Sequence, residues 1–234
     1  MSAISCSGIC KTFNQGDEVV TGLDHVSLDI AEGSFVCLSG PSGSGKTTLL
    51  NAMGALDTPD SGEITVGGRR IDRLSRGERA DLRLHTIGFV FQAYNLIEVL
   101  SARENVEFVM QLQGVPRRQR RALAESVLAE VGLGGLEQRL PSELSGGQQQ
   151  RVAVARAIAS KPTLVLADEP TANLDTHSAA LLMELFVTLN RERGVTFVLS
   201  THDVRVMGYA RRLISLRDGR IVGDERQQPH VMAG

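Results

Sequence analysis

The sequence predicts an α/β protein in which a mostly parallel sheet carries an antiparallel β subdomain and an inserted helical subdomain. Three observations predict it. Four short apolar runs recur, FVCLS (35–39), IGFVF (87–91), TLVLA (163–167) and VTFVLS (195–200), and near-continuous apolar strands of this kind suit a sheet buried on both faces. Helical patterns lie between them. Each run also gives way at once to polar or glycine-rich sequence: Gly40–Thr48, Gln92, Asp168–Glu169 and Thr201–His202. In open α/β sheets, ligands bind outside the carboxyl ends of the strands, so the third observation predicts a site as well as a fold.

Taken in order, the N-terminal 35 residues and residues 62–73 alternate like antiparallel strands. Residues 46–55 read as a short helix leaving the glycine-rich stretch. Residues 93–160 hold helical patterns and no convincing strand, which makes them the helical insertion. Within it, Leu123, Val127 and Val131 form one apolar stripe over 118–131, and 146–159 is a further helix. In a helix over 176–191, Leu181, Leu182, Leu185 and Leu189 are expected on the buried face. A single domain results: an α/β core with its β subdomain over 1–92 and 161–226, the helical segment 93–160, and a polar tail 227–234 with fraying expected from Asp224. No internal repeat or low-complexity segment is found. PRRQRR (116–121), the one basic run, reads as a solvated helix start, with a partner or lipid contact as the alternative.

Composition narrows the classes. The 234 residues, 42% hydrophobic and 22% charged, suffice for a sizeable core. A net charge of −2 gives no broad basic field for nucleic acid. The three cysteines, Cys6, Cys10 and Cys37, form no regular framework and are expected as free thiols in a reducing compartment. Cys6 and Cys10 could suggest metal, but no His or Cys pair nearby completes a site, so they are expected as small core residues. The start MSAISCSGIC has no signal-peptide pattern, and no run of about 18 apolar residues spans a membrane.

Gly40-Pro-Ser-Gly-Ser-Gly45-Lys46-Thr47 fits the pattern G-x-x-x-x-G-K-S/T at every fixed position, between an apolar strand and a helix. Without a Cβ at Gly43 or Gly45, the amides of residues 43–48 can turn inward, and the helix dipole adds to this donor array. Lys46 can reach the β- and γ-phosphates, and the Thr47 hydroxyl is a hard oxygen ligand for Mg²⁺. Gly40, Ser42, Gly43, Ser44, Gly45, Lys46, Thr47 and Thr48 are therefore candidate contacts to a nucleoside triphosphate with magnesium. In LVLADEP (164–170), Asp168 and Glu169 would repel each other unless a cation is present; Mg²⁺ removes that objection. Asp168 is placed to hold the metal, leaving Glu169 to orient an attacking water or take its proton. Gln92 can orient water and ligate Mg²⁺, and His202 can donate to a γ-phosphate oxygen. The metal set is thus Thr47, Gln92 and Asp168; the catalytic set is Glu169, His202, Gln92 and Lys46.

LSGGQQQR (144–151) supplies a second small-residue turn opening a helix, hence a second anion site. With the glycine loop, Gln92, Asp168–Glu169, NLD (173–175) and His202, it resembles the ABC transporter ATPase family in order and spacing over nearly the whole chain. The resemblance implies the ABC ATPase fold, a P-loop NTPase (RecA-like) core with the two subdomains above, and an enzyme that hydrolyses ATP with Mg²⁺. It implies that Ser145 and Gly147, with Gly146 and Gln148 of the same turn, meet the γ-phosphate of ATP held on the Lys46 loop of a second copy. Asp175 would lie where the two sites meet. Phe13 matches the position of an adenine-stacking aromatic, a plain core role being its alternative. With one glycine loop and one LSGGQ, the chain must pair with itself or a similar cassette to complete composite sites.

GALDTPDSGEI (54–64), GFVFQAYNLIEVLSARENV (88–106) and PSELSGGQQQRVAVARA (141–157) resemble the branch of lipoprotein-releasing, macrolide-exporting and peptide-antibiotic resistance ATPases. That branch implies a separate FtsX-like permease, a cytoplasmic location on the inner membrane face through it, and export or mechanotransmission of lipoprotein, lipid, peptide or macrolide. Tyr94, Leu96, Ile97 and Leu100, after Gln92, are candidate permease contacts or core residues. The rival is a soluble ABC ATPase acting on DNA or ribosomes; such proteins usually carry two cassettes or a long coiled coil, and this chain has neither. An unrelated glycine-loop kinase or GTPase leaves LSGGQ without a job.

Overall fold

The computed structural model describes residues 1–16 and 18–228. In chain order, these residues form β1 (Ser2–Gln15), β2 (Glu18–Ala31), β3 (Phe35–Ser39), α1 (Lys46–Met53), β4 (Ser61–Val66), β5 (Arg69–Arg70), α2 (Arg76–Thr86), β6 (Ile87–Phe91), α3 (Ala102–Leu112), α4 (Arg117–Glu130), α5 (Gly146–Ala159), β7 (Leu164–Asp168), α6 (Thr176–Arg193), β8 (Thr196–Thr201), α7 (Val204–Met207), β9 (Arg212–Arg217) and β10 (Arg220–Arg226). One sheet has the order β10-β9-β3-β8-β7-β6, parallel except for the β9–β10 hairpin. The other, β2-β1-β4-β5, is antiparallel.

The continuous apolar runs are explained by what covers them. Phe35 and Cys37 of β3 face one core with α3, α4, α5 and α6, while Val36 and Leu38 face another with α1 and the antiparallel sheet. Val165 and Ala167 of β7 join the first core; Leu164 and Leu166 join the second. Side chains alternate across a strand, so a strand between two cores must be apolar at every position. α5 packs directly on β6: a Cβ on Gly88 would lie 2.6 Å from the Ala157 carbonyl oxygen. The same four parallel strands, β3, β8, β7 and β6, end side by side and deliver the polar segments to one edge.

Several expectations change. Leu181 is 42% exposed, because the buried stripe of α6 runs through Ala179, Leu182, Met183, Phe186, Leu189 and Asn190. Asp224 is not frayed; it lies in β10 and its carboxylate pairs with Arg212 at 2.6 Å. The rest of the expected tail, from residue 229, lies outside the described residues. β9 and β10 escape the apolar-run criterion because arginines flank both, and Asp224 and Glu225 break the apolar stretch of β10. α2 buries only Leu82 and so shows no apolar stripe, although its capping box, Ser75 with Glu78, is legible in the sequence. Cys6 is buried as expected; Cys10 is only half-buried. Among the described residues, no helix is long and apolar enough to cross a membrane.

Candidate functional site

Gly40, in the turn after β3, has φ 147°, and a Cβ there would lie 2.3 Å from the Leu216 carbonyl oxygen and 2.6 Å from Ser44 Oγ. Only glycine lets the chain leave the sheet this tightly. The turn closes on α1 through Gly45, with φ 101° and no side chain capping the helix, so the first amides of α1 keep no side-chain partner. Lys46 is 7% exposed. Its ammonium donates to the carbonyls of Gly40 and Pro41 at 2.8 and 2.9 Å. Two of three N–H bonds are thereby used; the third can meet an anion.

The Thr47 hydroxyl donates to both oxygens of Asp168 at 3.0 Å. Ser200 Oγ, fully buried in β8, also donates to Asp168. These are hard oxygen donors, the kind Mg²⁺ takes, and the residues present fit that ion. Glu169, one residue beyond β7, has φ 44°, a conformation costing about 1–3 kcal/mol for a non-glycine residue. Its amide is held by the Ser200 carbonyl at 3.1 Å and by Ser200 Oγ at 3.2 Å. The Glu169 side chain is 17% exposed, and its carboxylate lies 3.0 Å from His202 Nδ1. Within β3, burial pushes the Cys37 thiol up to about 12, so it stays protonated and takes no part.

Phe13, Ser42, Gly43, Ser44, Gly45, Lys46, Thr47, Thr48, Gln92, Asp168, Glu169 and His202 all line one cleft of about 620 Å³. Gly40 is not part of that lining; it sets the turn that leads into it. Phe13 is 39% exposed, with the Lys11 ammonium 5.5 Å from its ring centre, so it is no core residue. The Gln92 carbonyl accepts from Asn173 Nδ2 at 3.0 Å.

The other sequence-selected residues are not part of that lining. Ser145 is exposed and caps α5: its hydroxyl accepts the Gln148 amide at 3.3 Å, and its own amide donates to Gln148 Oε1 at 2.9 Å. Added Cβ atoms would bring Gly146 within 2.9 Å of Tyr94 Oη and Gly147 within 3.1 Å of Ser178 Oγ, so the tip of α5 is wedged between the segment after Gln92 and the start of α6. Asp175 caps α6, accepting the Ser178 amide at 2.9 Å. The Ser178 hydroxyl, then its amide, hold the Asp175 carboxyl below the usual carboxylate range.

Sequence reasoning missed three residues that shape the site. Ser200 reads as part of an apolar strand. Gln150 is fully buried in α5 and donates to the Pro170 carbonyl at 2.7 Å, tying that helix to the turn bearing Glu169. Arg156 of α5 grips the carbonyls of Tyr94 and Asn95, the first at 2.9 Å. A polar residue in an otherwise apolar helical stripe is the signal that points to Gln150.

The family model described as ABC transporter matches residues 23–172. An uncharacterised ABC transporter ATP-binding protein of Methanocaldococcus jannaschii is 45% identical over 219 residues, covering 94% of this chain and 97% of that protein. The macrolide export ATP-binding/permease protein MacB of Mannheimia succiniciproducens is 41% identical over 229 residues, 98% of this chain but 36% of that one. In three dimensions the chain is similar to the ATP-binding cassette MJ0796, also of M. jannaschii, solved as a dimer in a post-hydrolysis state bound to ADP and Pi. The TM-score is 0.90 at 40% identity, over 96% of this chain and 99% of that chain.

Proposed function

Because the chain belongs to the ABC transporter family of ATP-binding cassettes, we propose that it is the subunit whose ATP hydrolysis drives a separate membrane permease, two copies closing head to tail around two ATP–Mg²⁺. It is an ATPase that takes ATP with Mg²⁺. One observation carries the rest: a single cleft gathers Lys46, Thr47, Gln92, Asp168, Glu169 and His202, while the exposed Ser145 tip is outside its lining. A second copy brings that tip to the nucleotide.

In this reading Phe13 stacks on adenine. The loop amides and the remaining Lys46 N–H bind the phosphates. Thr47, Gln92 and Asp168 hold Mg²⁺, which when bound supplies neutralisation of phosphate charge. Glu169 orients a water and accepts its proton. His202 meets Glu169 Oε1 through Nδ1 and a γ-phosphate oxygen through its other ring nitrogen. Ser145, Gly146, Gly147 and Gln148 meet the partner's γ-phosphate, and Asp175 lies at the contact between sites.

An apolar groove of about 690 Å³, lined by Leu56, Leu84, Phe89, Phe91, Val109 and Leu112, runs beside the segment after Gln92. It fits an apolar helix face of the permease. The likeness to MacB, a macrolide export ATP-binding/permease protein, supports export; the reading extends to mechanotransmission, to a macrolide, lipoprotein, lipid or peptide cargo, and to an FtsX-like permease that holds the cassette on the cytoplasmic membrane face. A non-transport role on DNA or ribosomes is not favoured, since the relatives are transporter cassettes.

Glu169→Gln is the test. ATP binding is retained, the dimer persists, and turnover falls by about 10²–10⁴-fold. Full ATPase activity in that variant removes Glu169 from its role.

A further inference from the structure

Cys10, Asp24 and His25 lie outside the lining of the ATP cleft, and the fold assembles them in a way the sequence conceals. β1 and β2 pair antiparallel, with Ile9 opposite Val26 and Lys11 opposite Leu23. Between these rungs Cys10 alone faces both Asp24 and His25. This is a β-bulge, which re-aims side chains that would otherwise point to opposite faces; His25, at φ 51°, completes it. Cys10 Sγ, an Asp24 carboxylate oxygen and a His25 ring nitrogen consequently lie within 4.8 Å of one another. His25 Nδ1 is 2.6 Å from Asp24 Oδ1, and the His25 amide donates to Cys10 Sγ at 3.4 Å.

The three cysteines differ in access. Cys6 and Cys37 are buried in the cores. Cys10 is half-buried, and the His25 side chain is 81% exposed, so an ion can enter from solvent.

We propose that Cys10, Asp24 and His25 form a binding site for a thiolate-seeking divalent ion of the zinc class, with water as the fourth ligand. Sulfur, imidazole nitrogen and carboxylate oxygen are the three protein donors that Zn²⁺ takes in tetrahedral sites. Mg²⁺ prefers all-oxygen surroundings, so the metal of ATP does not compete here. Binding deprotonates the Cys10 thiol, whose proton passes to solvent. The ion then staples β1 to β2 just ahead of Phe13.

The test is a Zn²⁺ titration of the full chain against a chromophoric chelator, with Mg²⁺ in excess to fill the oxygen-donor site. The wild type takes up one equivalent per chain. Cys10→Ser and His25→Ala each weaken that uptake at least ~10-fold. Co²⁺ in place of Zn²⁺ gives a near-ultraviolet thiolate charge-transfer band that Cys10→Ser abolishes. The exposed His25 makes its variant safe for folding if Cys10→Ser is not. No stoichiometric uptake, or uptake equally strong in His25→Ala, overturns the proposal.

Discussion

Two helices of this protein start on small-residue turns, and their first turns end in different chemical conditions. α1 begins at Gly45, which has no side chain to cap it, inside a cleft of its own chain. α5 begins at Ser145, whose hydroxyl and amide are both engaged with Gln148, on an exposed tip. Both helix dipoles favour an anion. Only the first combines unengaged donors with an enclosing wall. The difference teaches that a glycine turn before a helix is a phosphate site to the extent that its chain leaves donors free and excludes water around them. The second tip needs another surface before it can hold anything firmly.

The sharpest way to break that comparison is to damage each start separately. Lys46→Ala removes a charge-assisted contact worth about 1.5–3 kcal/mol, so ATP affinity of dilute protein, read by nucleotide titration, falls ~10–100-fold and turnover goes with it. Ser145→Arg puts bulk and charge on the other tip. ATP affinity of dilute protein is unchanged, while turnover at concentrations that permit pairing drops at least ~10-fold. If dilute-protein affinity falls with turnover in that variant, the two starts are not different in kind.

A smaller effect comes from Ser200→Ala, which deletes the buried hydroxyl that donates to Asp168 and receives the Glu169 amide. At about 1–3 kcal/mol for a lost buried partner, the Mg²⁺ concentration for half-maximal turnover rises, whereas ATP affinity without Mg²⁺ stays put. Equal shifts in both measurements would make Ser200 a general packing residue.

The smallest effect is a pH dependence at the start of α6. The Asp175 carboxyl is held low by Ser178. A depressed folded-state value stabilises the fold above the unfolded aspartate value near ~3.9 and ceases to do so as pH falls through the folded value. Melting temperatures of wild type and Asp175→Ala therefore differ at neutral pH and converge below about pH 4. A gap that persists in acid assigns the cap to geometry instead of charge.

How much was legible follows the same physics. The strands β3 and β6 stand where their apolar runs stand, because burial on both faces leaves no alternation to misread. The cleft residues were legible because a glycine loop and strand-end carboxylates have few other uses. β9 was hidden by arginines whose partners, such as Asp224, lie on another strand. Leu181 misled because four leucines on one helix do not all fall within one stripe; Phe186 and Met183 take the inner positions. The Cys10 cluster was invisible because a bulge in β-pairing, not spacing along the chain, makes it.

Gln150 carries one more consequence. Its enclosed amide joins the middle of α5 to the Pro170 carbonyl, and Gly88 lets the same helix rest against β6 without a side chain between. α5 is thus a yoke and not a free arm. Rocking its outer end either takes the turn bearing Glu169 along or strands a buried amide without a partner, at about 1–3 kcal/mol. A push at the rim of the molecule is felt at the turn that carries Glu169, the proposed reacting centre.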